Sequence, residues 1–202
     1  MNDLIIHSPT VVHQVIILLH GVGSEPQHLL PLGRAIAKQH PNALIVTVGA
    51  PFKNQHGMLQ WFSVQQVTEQ NRPERVAAAL PSFFQQLRPW LQRARTLDLA
   101  PILFGFSQGG IMLLEAAKTT ELANCKILVC ASRFADLPNA PLNIHQLGWI
   151  HGRQDPLFPS SQAINSAQHL EKLGQHVQLY VNENMGHEIP VMDVLEWVTN
   201  KI

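Results

Sequence analysis

The residues of this chain best suited to chemistry are 105–109, which read Gly-Phe-Ser-Gln-Gly and follow an apolar run at residues 101–104. When Gly-x-Ser-x-Gly joins a strand to a helix, the serine lies on a sharp, strained turn that exposes its hydroxyl at the end of the sheet. Both glycines are needed because a side chain at either position would collide at the turn. The pattern predicts that Ser107 is a nucleophile for acyl transfer; the alternative is a glycine-rich turn without catalytic function.

A serine hydroxyl is a weak nucleophile, and it requires a base that is itself oriented by an acid. Asp155 is the candidate acid because it lies in a turn, marked by Gly152 and Pro156, that follows an apolar run. His187 is the candidate base because it follows the last predicted strand, after a glycine that allows a sharp turn. We expect His187 to accept the proton of Ser107 and Asp155 to bind the other imidazole N–H. The alternatives are an aspartate that only forms a turn and a surface histidine, one of eleven histidines in the chain.

Two backbone N–H groups are candidates for binding the oxyanion that forms when a serine attacks a carbonyl group. Gln108 begins a predicted helix, so its N–H has no partner within that helix. Val22 lies in the loop His-Gly-Val-Gly-Ser at residues 20–24, after the first long apolar run. A loop at this place supplies the second donor when the serine stands on a strand-to-helix turn. We interpret His20 as a residue that holds this loop rather than as a second base.

The longest stretch without a clear period is residues 52–68, which carry the apolar side chains of Met58, Trp61 and Phe62. An irregular segment that leaves the end of a strand is well placed to line a binding site. We therefore expect Trp61 and Phe62 to line the pocket for the acyl group or the alcohol of a substrate. For Trp61, the anchoring of a surface loop is an equally good interpretation.

Apolar runs alternate with longer amphipathic segments along the chain. The predicted strands are residues 11–19, 43–48, 102–104, 126–130, 147–151 and 177–181, and the predicted helices are 27–39, 73–95, 108–118, 160–173 and 188–200. This alternation predicts an α/β fold, with one domain over residues 1–202, a mostly parallel sheet and helices on both faces. Pro81 and Pro89 should kink or split the second helix. The segments between these elements are too short to form a large cap domain.

Composition argues against several classes of function. The formal net charge is +0 and 46% of the residues are apolar, so nothing indicates binding to nucleic acid or to an anionic surface. Cys125 and Cys130 flank one predicted strand and point to opposite faces, so we expect both to be reduced in a cytoplasmic protein. We expect no signal peptide and no membrane span. No HExxH, CxxC or Gly-Lys-Ser/Thr motif occurs, so we expect no metal and no other cofactor.

Four segments resemble the phospholipase/carboxylesterase family, which includes bacterial carboxylesterases and acyl-protein thioesterases. They are residues 19–23, 105–110, 151–159 and 186–189. The resemblance implies an α/β-hydrolase fold without a large cap domain, a serine esterase activity that needs no metal, and in many members a homodimer. It also implies that Ser107, Asp155 and His187 form the catalytic triad. By the same resemblance, the N–H groups of Val22 and Gln108 form the oxyanion hole.

Two loops depart from the family pattern. The family often has Trp-Tyr/Phe-Asp where this chain has Trp-Phe-Ser at residues 61–63, and the usual His-Gly-x-Gly-Asp ends here in Ser24. Neither change touches the residues expected to do the chemistry, but both lie near the mouth of the site, where the substrate is selected. We therefore expect a carboxylesterase that hydrolyses small or medium acyl esters through an acyl-enzyme. The alternatives are cleavage of thioesters, including acylated proteins, or of lactones and, in a different class, a non-catalytic binding protein on a hydrolase scaffold.

Overall fold

A seven-stranded sheet forms the centre of the fold in a computed structural model, which describes residues 3–201. In chain order the strands are β1 (Leu4–His7), β2 (Gln14–Leu19), β3 (Ala43–Val48), β4 (Phe52–Lys53), β5 (Leu59–Gln60), β6 (Ile102–Phe106), β7 (Lys126–Cys130), β8 (Gln146–Gly152) and β9 (Val177–Asn182). The order across the large sheet is β1-β3-β2-β6-β7-β8-β9, and only the pair β1 and β3 is antiparallel. The prediction of a mostly parallel sheet is confirmed.

Helices cover both faces of the sheet, as predicted. Within residues 3–201 the α-helices are α1 (Leu30–Gln39), α2 (Arg72–Thr96), α3 (Gln108–Ala116), α4 (Ser160–Lys172) and α5 (Val191–Thr199). Helices α2, α3 and α4 bury their apolar sides against one face, and α1 and α5 pack against the other. Short 3-10 turns lie at Pro26–Leu29 and Thr120–Leu122.

The central strand β2 shows why the strands read as continuous apolar runs. Val15, Ile17 and Leu19 pack into the core on the side of α2 and α3, whereas Ile16 and Leu18 pack into the core beneath α1 and α5. Side chains alternate between the two faces of a strand, so in a strand that is covered on both faces successive residues are apolar, as residues 15–19 are. Burial of each such side chain contributes about 1.5–3 kcal/mol.

The two cysteines lie on opposite faces of the sheet. Cys125 belongs to one of the two cores and Cys130 to the other, and both are free and buried. The prediction that they form no disulfide with each other is therefore confirmed. Burial raises the pKa of the Cys125 thiol to about 12 and also raises the pKa of Cys130, so neither thiol forms a reactive thiolate at neutral pH.

Helix α2 runs without interruption through Pro81 and Pro89, so the prolines do not split it, and a kink at either position remains a prediction. Pro81 and Pro89 are both exposed, and so are Ala77 and Gln85, the residues four positions earlier. A proline leaves the carbonyl four residues before it without a helical partner. On the solvent side such a carbonyl can bind water, so the helix continues while its buried side stays packed.

Two elements had no clear sequence signal. Strand β1 pairs with β3 at the edge of the sheet and is only partly buried, so it lacks the continuous apolar run of the central strands. The hairpin of β4 and β5 lies within the irregular stretch and has only two residues in each strand. Both elements depend on a pairing partner rather than on their own hydrophobic pattern.

The loops that follow the parallel strands all lie at one end of the sheet, where the strands have their carboxyl ends. Between residues 3 and 201 these loops contain only short turns and the hairpin of β4 and β5, so no cap domain covers this end. Ligands of sheets of this kind bind at the carboxyl ends of the strands. In the same part of the chain, no helix is both long and apolar enough to cross a membrane.

Candidate active site

Ser107 lies on the turn between β6 and α3, with φ 51° and ψ −116°. A non-glycine residue seldom adopts a positive φ, and when it does the strain is held by its surroundings. A Cβ atom on Gly105 would lie 2.7 Å from backbone atoms of Gly110, and a Cβ atom on Gly109 would lie 2.7 Å from carbonyl oxygens at the end of β2. Both positions therefore require glycine; at Gly109 the obstacle is the neighbouring strand rather than the turn itself.

Backbone and side-chain hydrogen bonds hold the strained turn. The N–H of Ser107 donates to the carbonyl of Cys130, and its own carbonyl accepts from the N–H of Ile111 and from Oγ of Ser132, each at 3.0 Å. Ala131, which precedes Ser132, also has a positive φ of 47°. Sequence reasoning did not identify Ser132. One feature of the sequence could have indicated it: Ser132 is a polar residue two positions after an apolar strand, at the carboxyl end where ligands bind in sheets of this kind.

The structure brings the three predicted catalytic side chains into one chain of hydrogen bonds. The hydroxyl of Ser107 lies 2.9 Å from Nε2 of His187, and Nδ1 of His187 lies 2.8 Å from Oδ2 of Asp155. A carboxylate can only accept, so the imidazole proton is on Nδ1 and Nε2 is free to accept the serine proton. This is the geometry that a nucleophile, a base and an orienting acid require.

The carboxylate of Asp155 is held in its charged form although its side chain is buried. Burial alone would raise its pKa, but hydrogen bonds from the N–H groups of Phe158 and Leu157 and from His187 outweigh this effect, and the pKa lies below its usual value. The two N–H groups donate to Oδ1 at 2.9 and 2.8 Å, which leaves Oδ2 for the imidazole. Asp155 can therefore stabilise a positive charge on His187 at neutral pH.

Two aromatic rings contact the imidazole of His187. The ring of Phe106 lies 5.1 Å away between centroids, and the ring of Phe158 lies 5.5 Å away with its plane at 76° to the imidazole. The side chain of His187 is only 14% exposed. The rings limit its rotation and keep Nε2 pointed at the serine.

The glycine that the histidine loop requires is not the one expected. A Cβ atom on Gly186, next to His187, would meet only the carbonyl of Gln154 at 3.9 Å, and Gly186 does not have a positive φ. By contrast, a Cβ atom on Gly152 would overlap the carbonyl oxygens of Met185 and Gly186. The close approach of the histidine loop to the end of β8 therefore depends on Gly152, whereas neither the available space nor the backbone φ requires glycine at position 186.

The loop of Val22 lies against the serine. A Cβ atom on Gly21 would come within 3.3 Å of Cβ of Ser107, so the backbone of this loop contacts the turn of the nucleophile. Neither the N–H of Val22 nor that of Gln108 donates a hydrogen bond to another group among residues 3–201. Both N–H groups are therefore available to a ligand beside Ser107. Their role as oxyanion donors remains a prediction.

His20 and Trp61 together hold that loop. Nδ1 of His20 donates to the carbonyl of Gly21 at 2.8 Å, and Nε2 accepts from the N–H of Ala50 at 3.1 Å, as expected for a residue that holds the loop. Because Nε2 accepts a hydrogen bond, the ring of His20 is neutral, and burial lowers its pKa in the same sense. The indole N–H of Trp61 donates to the carbonyl of His20 at 2.8 Å, and its side chain is 0% exposed. The burial of Trp61 and its hydrogen bond support the interpretation that it anchors the loop from within the core, and a contact between Trp61 and a substrate remains a prediction.

The side chain of Gln108 joins the segment after β5 to the start of α3. Its Oε1 accepts from the N–H of Trp61 and its Nε2 donates to the carbonyl of Phe62, both at 2.8 Å. Phe62 is 3% exposed and lines a groove between the hairpin of β4 and β5 and helix α2. Ser107, Asp155 and His187 do not line this groove, so a contact between Phe62 and a substrate remains a prediction.

The site is built from carboxylate, imidazole, hydroxyl and backbone groups. Within the part of the chain that the structure describes, no group of three or more histidine, cysteine, aspartate or glutamate side chains is arranged to hold a metal ion.

The chain is similar to known proteins over nearly its whole length. A model of the family described as Phospholipase/Carboxylesterase matches residues 1–200 of the chain. Esterase YpfH of Escherichia coli (strain K12) is 36% identical over 191 residues, which cover 93% of this chain and 82% of YpfH.

Solved structures share the fold. Esterase PE8 has a TM-score of 0.79 and 22% identity, with 99% of this chain and 97% of PE8 covered. The Bacillus cereus carboxylesterase has a TM-score of 0.74 and 17% identity, with 99% of this chain and 94% of the other covered. At these identities the likeness is one of fold.

Proposed function

We propose that this chain, which belongs to the phospholipase/carboxylesterase family and is a carboxylesterase, hydrolyses its esters through an acyl-enzyme on Ser107. The observation that carries the proposal is the unbroken chain of hydrogen bonds from the carboxylate of Asp155 through His187 to the serine hydroxyl. Three side chains from distant parts of the sequence meet with the donors and acceptors that acyl transfer needs.

The first half of the reaction forms the acyl-enzyme. Oγ of Ser107 attacks the ester carbonyl while Nε2 of His187 accepts the hydroxyl proton, and Asp155 stabilises the imidazolium. The negative charge that develops on the carbonyl oxygen is bound by the N–H groups of Val22 and Gln108. The tetrahedral species collapses by breaking the bond to the alcohol oxygen, which leaves with the proton held by His187.

The second half releases the acid. His187 removes a proton from water, the resulting hydroxide attacks the acyl carbonyl, and the same two N–H groups bind the second oxyanion. Breaking the bond to Oγ returns the proton to Ser107 and releases the carboxylic acid. One ester and one water are converted to one alcohol and one acid, and the enzyme regains its starting protonation state.

We propose small or medium acyl esters as substrates. Exposed aliphatic side chains occur in the loops at the end of the sheet where the serine is located. They are Val22 after β2 (39% exposed), Val64 after β5 (43%) and Leu157 after β8 (63%). These side chains offer a modest apolar surface to an acyl group. No cap domain is present in residues 3–201 to enclose a long chain.

Further proposals concern the substrate class, the location and the partners of the protein. The same nucleophile and oxyanion donors would serve thioesters and lactones, so these substrates stay as second candidates. The two buried, reduced cysteines support a cytoplasmic location, and the formal charge of +0 gives no support for a nucleic-acid partner. A homodimer is proposed from the family resemblance alone.

Covalent labelling of the serine tests the mechanism. A fluorophosphonate probe should label the wild-type protein and Ser63→Ala, in which an exposed serine of a nearby loop is replaced, but not Ser107→Ala. Hydrolysis of p-nitrophenyl butyrate by Ser107→Ala should fall by about 10³-fold or more, as for other triad nucleophiles. Activity of Ser107→Ala above about a tenth of the wild-type rate would exclude Ser107 as the nucleophile. An unlabelled but folded wild-type protein would favour the non-catalytic binding scaffold.

A further inference from the structure

His151 is a second histidine that contacts the acid of the site. It lies on β8, its side chain is fully buried, and its Nε2 donates to the carbonyl of Phe158 at 2.8 Å. The same Nε2 lies 3.6 Å from Oδ2 of Asp155, the oxygen that binds His187. Nδ1 is buried and has no hydrogen-bond partner among residues 3–201. The mechanism described above gives His151 no role.

Phe158, which His151 holds, contacts both the acid and the base. Its N–H donates to Oδ1 of Asp155 at 2.9 Å, and its ring edge lies against the imidazole of His187. One hydrogen bond from His151 therefore fixes a residue that orients both partners of the nucleophile. Release of the Phe158 carbonyl would loosen the acid and the base together.

The surroundings of His151 require a neutral ring. The titratable groups that face it are Asp155 and His187, and Arg153 in the same turn directs its guanidinium to Glu183. The first two turns of α4, which packs on β8, carry no titratable side chain. Burial lowers the pKa of His151, against an opposing contribution from Asp155. A proton added at Nδ1 would find no acceptor among residues 3–201.

We propose that His151 is a positioning residue that acts only as the neutral tautomer with its proton on Nε2, and that its protonation switches the enzyme off in acid separately from protonation of His187. A cation at this place would attract Oδ2 of Asp155, which orients His187, and would repel the imidazolium that His187 becomes during the reaction. The proposal rests on the proposed function, because it acts through the same acid and base.

The proposal predicts that two protonations reduce kcat/KM on the acid side of its pH profile. If only His187 had to be neutral, log kcat/KM would fall with a slope approaching one as the pH decreases. With His151 also required to be neutral, the slope steepens towards two at lower pH. The profile should be recorded by short incubations that recover full activity on return to pH 8, so that unfolding is excluded.

Two variants separate the roles of the N–H group and of the charge. His151→Gln retains an amide N–H that can bind the Phe158 carbonyl but cannot be protonated. We expect its kcat/KM at pH 8 to stay within about 3-fold of wild type and its acid slope to be one. His151→Leu retains bulk without the hydrogen bond, and we expect its kcat to fall by about 10-fold or more at every pH. A slope near two in a folded His151→Gln, or full activity in His151→Leu, would overturn the proposal.

A spectroscopic measurement on the wild-type protein does not depend on the folding of a variant. Nitrogen-15 NMR of labelled histidines should show His151 as the neutral Nε2–H tautomer at pH 7.5, with its protonation coinciding with the second step of the activity profile. A cationic ring or the Nδ1–H tautomer at that pH would contradict the proposal. Ser107→Ala, assayed in the same series, distinguishes failure of the proposed mechanism from failure of the proposal on His151. If Ser107→Ala remains active, the mechanism is wrong. If it is inactive, the pH profiles and the NMR data decide the role of His151.

Discussion

Replacement of Trp61 by phenylalanine should weaken both the fold and the catalytic step. The change removes the indole N–H that donates to the carbonyl of His20 at 2.8 Å in a fully buried place. A buried carbonyl without its partner costs about 1–3 kcal/mol. The smaller ring also leaves a cavity, which adds about 1 kcal/mol at roughly 24 cal/mol per Å³. We therefore expect Trp61→Phe to lower the free energy of unfolding by about 2–4 kcal/mol.

The catalytic effect should act on kcat and be the same for all substrates. His20 is two residues from Val22, so a loosened carbonyl at His20 lets the proposed oxyanion donor move. Loss of a whole oxyanion donor costs about 10²–10³ in kcat, and displacement of one should cost about 10-fold. Because this donor binds the same oxygen in every ester, the loss should not depend on the length of the acyl chain.

The assay combines urea unfolding with kcat and KM for p-nitrophenyl esters of increasing acyl length. Trp149→Phe is the matched control, because Trp149 is also 0% exposed but its indole N–H has no partner among residues 3–201. In Trp149→Phe the cavity should lower the free energy of unfolding by about 1 kcal/mol, and kcat should be unchanged. If Trp61→Phe were as stable as the control and changed only the preferred acyl length, Trp61 would line the acyl pocket and the structural reasoning would be refuted.

Further predictions concern packing, proton binding and metals. Gly109→Ala should lower kcat at least about 10-fold and destabilise the protein by about 1–3 kcal/mol, because its Cβ would lie 2.7 Å from carbonyl oxygens; Gly186→Ala, whose Cβ meets nothing closer than 3.9 Å, should keep both kcat and Tm. Burial lowers the pKa of His20 and His151, so below the unfolded value of about 6.5 the unfolded chain binds more protons. The free energy of unfolding should therefore decrease as the pH falls from 6.5 to 5.5, and an increase in urea titrations would contradict this sign. Ser132→Ala, which loses the bond to the Ser107 carbonyl, should cost about 1 kcal/mol by thermal unfolding and lower kcat a few-fold. Because a serine hydroxyl is the proposed nucleophile, dialysis against EDTA should leave kcat unchanged; loss of activity that returns with Zn²⁺ would argue for another mechanism.

The sequence by itself determined the class of fold, and it was enough to propose the residues of the active site. The central strands are buried on both faces, so they appear as apolar runs that can be recognised without the structure. The turn around Ser107 is equally local, because the glycines and the flanking strand and helix are contiguous in the chain. Asp155 and His187 could be nominated since each follows a recognisable strand in the expected order.

The tertiary structure decided the contacts between residues that are distant in the sequence. The indole N–H of Trp61 finds a carbonyl 41 positions away in sequence, so the choice between pocket wall and anchor could not be made from the segment alone. The glycine required by the histidine loop is Gly152, because two separate loops approach closely there. Strand β1 forms through pairing with β3, and the contact of His151 with Phe158 depends on how the turn after β8 folds back. A local sequence pattern reflects the helix or strand to which a residue belongs. Contacts between loops depend on how the loops pack at the carboxyl ends of the strands, where residues distant in sequence meet.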